Sequence, residues 1–377
     1  MDSSFSLYMH IPFCKSFCDY CDFYSITTDK KDHDYIDKYI CALLTDIKNQ
    51  ITRFSAECIT TAYIGGGTPS VLGGKIGFLL EELYKLPGFK PVEFTIEANP
   101  ESLTENFLEA CRKNGINRLS LGVQTLHEPS RKIVNRKGDI KAIKENIELA
   151  CEYFNGELSF DLITGLPCQS EETIICDIKS LLEYEPSHIS LYSLSVEEDT
   201  ALKEKLEAKM LTLPDKDCAD SLWLCAKNAL LKAGYNHYEV SNFAKEGREC
   251  VHNMRYWQME SWLGAGAAAS GTVIGNDGTA KRFTYANDAD AYIKRPDIEN
   301  ALCENLDRDT FLRESLLMGF RCRKGPDTEV FKRRFNRTIE QCIPNTLLKY
   351  SGRDKMLFLN SFLSDAFCEL DGAKLRV

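Results

Sequence analysis

The sequence predicts an α/β fold organised on a parallel sheet, and two observations lead there. Through the first two hundred residues, short runs rich in β-branched and aromatic residues alternate with longer stretches whose apolar residues recur at i, i+3 and i+4. Past Val196 the alternation stops and the chain reads as mainly helical. Six strand-then-helix units imply parallel strands joined by crossover helices, and they fall short of a closed eight-stranded barrel. Periodicity alone leaves an open doubly wound sheet and a partial barrel both allowed. In either, ligands collect at the carboxyl ends of the strands, where the strand-to-helix loops converge.

Strands are expected at Phe5–Ile11, Ile59–Ile64, Val92–Ala98, Asn117–Gly122, Glu157–Ile163 and His188–Leu194. Amphipathic helices are expected between them near Asp32–Arg53, Leu72–Lys85, Thr104–Lys113, Ile140–Phe154 and Glu171–Tyr184. Glu197–Met210 and Cys218–Ala233 read as further helices, the second stopped by Gly234. Tyr235–Val240 has strand character, and Trp262–Gly278 is rich in Gly and Ala with no clear period. Asp309–Tyr350 is helical, with Leu312, Leu316, Leu317 and Phe320 as its buried side, and Met356–Val377 suggests a helix and a small hairpin. A soft boundary near Asn276–Gly278 divides the chain into residues 1–276, with accessory elements from about residue 197, and a mainly helical domain, residues 277–377.

A chain of 377 residues is long enough for a full core and two domains. Its net charge of −10, with no long basic block, argues against nucleic acid as the main partner, because phosphate binding rests on clustered Lys and Arg. No apolar run approaches the ~20 residues needed to span a bilayer, and Met1-Asp2-Ser3-Ser4 has neither basic residues nor an apolar stretch. Stable membrane insertion is therefore not expected, and a cytoplasmic location is. The 16 cysteines are spread along a chain too long to need disulfide staples, so Cys41, Cys58, Cys111, Cys151, Cys176, Cys218 and Cys225 read as small buried hydrophobes in a reducing compartment.

The chemistry concentrates where the first strand ends at Pro12, before Cys14, Cys18 and Cys21 at the spacing C-x3-C-x2-C. Three close thiolates can wrap one iron-sulfur cluster, each reaching a different iron. A cluster normally takes four, and the position two after Cys21 is Phe23. One iron then stays open to a substrate or cosubstrate. A zinc site would need a fourth ligand, and His10 lies on the strand side of Pro12, poorly placed to supply it. Three free thiols in a loop are the plainer alternative.

The other strand ends carry polar groups. Gly65-Gly66-Gly67-Thr68-Pro69 follows the second strand. Taken alone it is a tight turn, yet glycines also let backbone N–H groups approach a ligand closely. Glu97 ends the third strand, Gln124 closes the fourth, Arg136 follows in Val134–Lys137, and Asp161 sits in the fifth. Each by itself is more often a capping or solvated residue than a ligand. Together they form a ring at successive strand ends.

The cysteine triad closing the first strand and the glycine turn closing the second resemble the radical S-adenosylmethionine (SAM) superfamily. The phrase His10-Ile11-Pro12-Phe13-Cys14 and later motifs are similar to the oxygen-independent coproporphyrinogen III oxidase group, and within it to the HemW-type haem chaperone branch. The resemblance runs from Tyr8 to about Phe320. It implies an incomplete (β/α)6 parallel barrel of radical SAM type, a [4Fe-4S] cluster on Cys14, Cys18 and Cys21, and SAM on the open iron. It carries Tyr8, Gly66 and Glu97 to a first SAM site, and Tyr20, Gly67, Thr68, Gln124, Arg136 and Asp161 to a second; one or two SAM sites stay open.

In the second half, His252-Asn253-Met254-Arg255-Tyr256-Trp257 resembles the HemW signature of a His-Asn pair followed by Tyr-Trp. A histidine there can offer imidazole to haem iron while the rings stack on the porphyrin. Alternatively, His252 and Asn253 bond loop backbone and the aromatics plug the barrel's open side. His237 and Cys250 are lesser candidates; His33, His127 and His188 read as surface or helix-flank residues. The histidine that many relatives carry in the Gly-Ala-Gly-Ala stretch has no counterpart in Gly264–Ser270.

Two functions compete within the resemblance. A haem chaperone binds haem as cargo and delivers it to a haem-accepting protein; a coproporphyrinogen III oxidase decarboxylates two porphyrinogen propionates. Oxidases of the group carry a fourth cysteine where this chain has Phe23, and an N-terminal segment ahead of the first strand. The His252 phrase belongs to the chaperone branch, so that reading leads. The retained SAM-site residues leave enzymatic activity open. The resemblance also implies an electron donor such as flavodoxin or ferredoxin.

Overall fold

The computed structural model describes residues 4–374 apart from 28, 30, 32 and 33. The expected helix start at Asp32, His33 and the chain end at Val377 lie outside the described residues. All six predicted strands form: β1 Ser4–Ile11, β2 Cys58–Gly66, β3 Phe89–Ala98, β4 Arg118–Gln124, β5 Leu158–Thr164 and β6 His188–Ser193. They pair in sequence order and in parallel. Between them run α1 Tyr35–Phe54, α2 Ile76–Tyr84, α3 Glu105–Lys113, α4 Glu128–Ile133, α5 Ile140–Phe154 and α6 Glu171–Leu182. Helix starts are set by side chains that accept the first free N–H groups: Thr104 for α3, Asp139 for α5, and a Ser170–Thr173 capping box for α6. Leu7, Met9, Ile64, Ile96, Leu119, Leu121 and Phe160 are fully buried, as befits strands covered on both faces.

Past β6 the chain adds α7 Ala201–Glu207, α8 Lys216–Lys232, β7 Asn236–Glu239, β8 Asn242–Ala244 and α9 Val251–Trp257, then β9 Trp262–Ala265, β10 Ser270–Ile274, β11 Ala280–Thr284, α10 Ala289–Lys294 and β12 Leu302–Leu306. The whole makes one 12-stranded sheet in the order β12-β11-β10-β9-β1-β2-β3-β4-β5-β6-β8-β7. Its ends do not pair with each other, so the barrel is incomplete. It is nevertheless curled: Tyr8 of β1 and Tyr192 of β6, five strands apart, line one cavity, whereas a flat sheet would hold them about 24 Å apart.

The Gly- and Ala-rich stretch that showed no period contains β9, which extends the parallel sheet on the far side of β1. Its glycine is steric in origin. A Cβ on Gly264 would lie 2.0 Å from the Ser270 carbonyl oxygen, and one on Gly271 would lie 2.2 Å from the Phe283 ring. The expected boundary near residue 276 falls on the turn between β10 and β11, inside the sheet. A second apolar cluster gathers around Phe311, Phe331, Phe335 and Phe362. The run Asp309–Tyr350 is not one helix but α11 Arg308–Gly319, α12 Thr328–Phe335, α13 Ile339–Cys342 and α14 Pro344–Lys349, broken by Gly325-Pro326, left-handed Asn336 and Pro344. The predicted C-terminal hairpin is instead α15 Leu359–Lys374, which buries Phe362, Leu363, Ala366 and Leu370 along one face.

All 16 cysteines are free. Of the seven read as buried hydrophobes only Cys111 is buried; Cys41, Cys176 and Cys218 are exposed and the others half-buried, because they fall on outer helix faces and strand margins. Among the described residues no helix is long and apolar enough to cross a membrane.

Candidate functional site

Pro12 ends β1, and the loop it opens is closed at its base. Phe13–Cys14 pairs with Ile26–Thr27, and the Ile26 N–H donates to the Pro12 carbonyl at 2.6 Å. Contacts from several elements hold the loop down. The Asp19 N–H donates to Val134 O at 3.1 Å, Asn135 Nδ2 donates to Phe17 O at 2.8 Å, the Leu202 N–H donates to Asp19 O at 2.8 Å, and Lys205 pairs with the Asp19 carboxylate. Cys14, Cys18 and Cys21 thereby face one cleft of ≈ 960 Å³ at the carboxyl ends of the strands. Among the described residues no three His, Cys, Asp or Glu groups converge closely enough for a single metal ion. Three thiols lining one cleft can each take a different iron of one cluster, whereas zinc would need a fourth ligand. His10 is unavailable to either: Nε2 donates to Tyr24 O at 3.0 Å and Nδ1 accepts from Tyr8 OH at 3.0 Å. Burial raises the Cys14 thiol and pushes Cys21 up to about 11.

The second wall is the glycine turn. Gly66 has φ +111, and a Cβ there would sit 2.5 Å from the His10 ring. A Cβ on Gly67 would lie 2.8 Å from the Phe13 carbonyl oxygen. The glycines are therefore required by close approach of β1 to the turn. Glu97 Oε2 accepts from the Gly66 N–H at 3.2 Å and Oε1 from Tyr63 OH at 2.7 Å. Burial, reinforced by Asp161, pushes the Glu97 carboxyl up to about 7.

The third wall links two cysteines through a chain of side chains. Cys14 Sγ contacts Thr68 Oγ1 at 3.4 Å, and Asn99 Nδ2 donates to Thr68 Oγ1 at 3.0 Å. Arg136 donates to Asn99 Oδ1 at 2.8 Å, to Cys18 Sγ at 3.4 Å and to the Gly122 carbonyl. Gln124, at φ +67, bends the end of β4 into the cleft, a strained conformation for a side chain that is not glycine. Asp161 accepts from Ser120 Oγ at 3.1 Å, and burial raises its carboxyl. Tyr20, Gly66, Gly67, Thr68, Glu97, Gln124, Arg136 and Asp161 all line this one cleft. Asn99 joins them unforeseen; the Asn99-Pro100 dipeptide signals only a turn.

Tyr8 does not line the cleft. It faces a second groove of ≈ 520 Å³, together with Asn253, Tyr256, Trp257, Trp262 and Glu239, while Tyr192 borders both. The groove is chemically unfinished: among the described residues Glu239 Oε1, Asn242 Oδ1 and Trp257 Nε1 have no hydrogen-bond partner. Glu239 and Asn242 are buried, and burial pushes the Glu239 carboxyl up to about 7.

His252 is not offered to this groove, contrary to the sequence expectation. It is fully buried, with Nδ1 at 2.9 Å from Thr61 Oγ1 and Nε2 at 2.7 Å from Tyr256 OH. Burial and the nearby Arg255 push it down to about 3. Its backbone N–H donates to Glu93 Oε1 at 2.8 Å, at the start of α9. His237 is buried and stacked on Phe243 at 4.4 Å, and Cys250 is buried against Glu93. His188 is no surface residue: it is buried in β6 between Ser159 Oγ and Tyr238 OH.

Residues 8–181 match the model of the radical SAM superfamily. The chain is 33% identical to the heme chaperone HemW of Lactococcus lactis, over 89% of this chain and 86% of that protein. It is 35% identical to the heme chaperone HemW of Escherichia coli, over 74% and 73%. Among solved structures, the coproporphyrinogen III oxidase HemN of Escherichia coli, a radical SAM enzyme, superposes with a TM-score of 0.79 at 22% identity, covering 96% of this chain and 89% of that one.

Proposed function

This chain belongs to the radical SAM superfamily, in its HemW-type branch, and from that premise we propose that it is a haem chaperone that binds haem in the groove beside α9 and passes it to an acceptor protein. Membership of the superfamily implies a [4Fe-4S] cluster and SAM. The donor set fits both groups: three thiols face one cleft, beside a glycine turn that no side chain could replace. Cys14, Cys18 and Cys21 hold the cluster; Tyr20, Gly66, Gly67, Thr68, Glu97, Gln124, Arg136 and Asp161 hold SAM. When bound, the pair supplies one-electron chemistry at a carbon-sulfur bond. Arg136 and Thr68 fix the loop through Cys18 and Cys14, and Glu97 offers an acceptor to an ammonium or to ribose hydroxyls.

The observation that carries the chaperone reading is the groove itself. Five of its lining residues are aromatic, Tyr8, Tyr192, Tyr256, Trp257 and Trp262, and none is Lys or Arg. A flat porphyrin ring is matched by such a surface. Haem brings two propionates and coproporphyrinogen III four, so a groove without Lys or Arg disfavours the porphyrinogen more than haem, whose propionates can stay at the groove mouth in water. A cytoplasmic setting and a protein reductant such as flavodoxin or ferredoxin complete the proposal. The test is to titrate anaerobically reconstituted protein with haem and, in parallel, to incubate it with coproporphyrinogen III, SAM and reductant. One-to-one haem binding without decarboxylation is expected; stoichiometric conversion to protoporphyrinogen overturns the assignment.

A further inference from the structure

His252, the residue of the groove phrase with the strongest claim to bind iron, has both nitrogens engaged. The hydrogen-bond chain behind it settles which nitrogen carries the proton. Arg255 Nε donates to Ser6 Oγ at 2.6 Å, and Thr61 Oγ1 also donates to Ser6 Oγ, at 2.8 Å. Thr61 has only one proton and gives it to Ser6, so toward His252 Nδ1 it acts as acceptor. Nδ1 is then the protonated nitrogen and Nε2 is bare. The group facing that bare nitrogen is Tyr256 OH, at 2.7 Å. Histidine here is a base held against a phenol.

Resting on the haem-chaperone reading, we propose that the iron ligand of the groove is the phenol oxygen of Tyr256, with His252 as the positioning residue that accepts its proton. Tyr256 lines the groove, and its ring meets that of Trp262 edge-on with centroids 4.9 Å apart. Phenolate is a known axial ligand of ferric haem, and a fixed second-sphere hydrogen bond tunes such ligands. On coordination the O–H bond breaks, its proton passes along the hydrogen bond to His252 Nε2, and an oxygen lone pair forms the bond to ferric iron. No electron is transferred. Burial and Arg255 both oppose a positive imidazole here, so the proton moves only as iron takes the phenol oxygen; the pairing of Arg255 with Glu260 at 2.7 Å offsets part of that opposition.

A second phenol in the groove, Tyr8, also donates to a histidine, His10 Nδ1, at 3.0 Å. Two features set it apart. His10 is packed against Gly66 on the SAM side, and beyond the burial that raises both phenols the Glu97 carboxyl further opposes a phenolate at Tyr8. Tyr8 thus serves as the internal control.

The test is resonance Raman spectroscopy of the cluster-loaded full chain with ferric haem, made once with ordinary and once with ring-deuterated tyrosine. Phenolate bands that shift with the label, persist in Tyr8→Phe and vanish in Tyr256→Phe are expected. Haem affinity in Tyr256→Phe should fall on the order of tenfold or more. In His252→Gln the bands should persist at altered frequency, with affinity about 10-fold to 100-fold weaker. If Tyr256→Phe fails to fold, as judged by cluster absorbance, the isotope experiment on Tyr8→Phe and on Tyr192→Phe, the other two phenols of the groove, still decides, because label-sensitive bands that persist in both leave Tyr256 as the ligand. Haem bound without label-sensitive bands, or with bands that survive in Tyr256→Phe, overturns this inference while leaving the chaperone reading intact. No stoichiometric haem binding by the unmutated chain overturns both.

Discussion

Replacing Gly66 by alanine probes the point where the first strand, the glycine turn and the SAM cleft meet. Two costs arise from the structure. At φ +111 an alanine is held in a region that side chains rarely adopt, costing about 1–3 kcal/mol. Its Cβ would also stand 2.5 Å from a His10 ring that cannot swing aside without losing the bonds to Tyr8 OH and Tyr24 O, an overpacking cost of about 1–3 kcal/mol. Reduced freedom of the unfolded chain returns about 0.4–1 kcal/mol. Gly66→Ala is therefore expected to lose about 1–6 kcal/mol of stability in urea unfolding, and to weaken SAM binding because the Gly66 N–H no longer aligns on Glu97. A double-mutant cycle with His10→Ala separates the two costs. Removing the ring relieves the clash and leaves the backbone strain, so the two substitutions should couple favourably by about 1–3 kcal/mol. Additivity within about 0.5 kcal/mol would show that the Cβ never meets the ring, and the steric account would be wrong. Gly67→Ala should have no such rescuer, because its Cβ would meet backbone, the Phe13 carbonyl.

Glu97, held near 7 by burial, binds its proton more tightly in the folded chain than in the unfolded one, so its contribution to stability falls as pH rises from about 4.5 to about 7. The ammonium of SAM favours the ionised carboxyl, so SAM affinity should rise with pH through about 7, and calorimetry of Glu97→Gln should show that dependence flattened. Glu93→Ala strips the acceptor from Cys250 Sγ and from the Val251 and His252 N–H groups at the start of α9, a loss of about 2–4 kcal/mol. Hydrogen exchange should show faster opening confined first to residues 251–257, and unchanged protection there would contradict the role given to Glu93. Asp46 in α1 accepts from Tyr285 OH at 2.6 Å and Tyr292 OH at 2.7 Å, so Asp46→Ala strands two buried hydroxyls. A loss of about 2–4 kcal/mol is expected in thermal or urea unfolding, with Asp46→Asn recovering part of it.

The six parallel strands were legible because each carries apolar residues at alternate positions, such as Phe5, Leu7, Met9 and Ile11 in β1, between stretches of helical period, although polar residues such as Ser6 and His10 stand between them. The cysteine loop was legible from its spacing, and the polar strand ends only as a set, since each by itself is more often a cap than a ligand. What escaped were features set by contact between distant segments. β9 carries Gly264 and Ala265 where a strand usually shows β-branched residues, because β10 crosses too close for a side chain. Asn99 acts by bridging Thr68 and Arg136, neither of them near it in sequence. Tyr63 and Glu239 matter through burial, which no spacing reveals. For His252 the phrase announced a site, and only the hydrogen bonds to Thr61 and Tyr256 show that the imidazole backs the groove rather than entering it.

The two cavities share a wall, and the wall is continuous at the level of single contacts. Tyr8 on the groove side donates to His10; the His10 ring bears on Gly66; Gly66 donates to Glu97 on the cleft side; Glu97 accepts from Tyr63. The Tyr63 ring lies 5.2 Å from that of His252, which holds Tyr256 back on the groove side. The circuit thus leaves the groove at one tyrosine and returns to it at another, passing through the glycine turn and the acid of the SAM cleft. Close-packed interiors transmit displacement because they have no slack to absorb it. The same contacts give a change at Gly66 or Glu97 a route to both cavities, so a defect in haem binding caused there is no evidence that either residue touches haem. Substitutions off the circuit and confined to one cavity, Trp257 in the groove and Gln124 or Arg136 in the cleft, report on one cavity at a time. Contiguity by itself does not establish energetic coupling, but thermodynamic linkage makes any coupling reciprocal: whatever SAM does to haem affinity, haem must do to SAM affinity by the same factor.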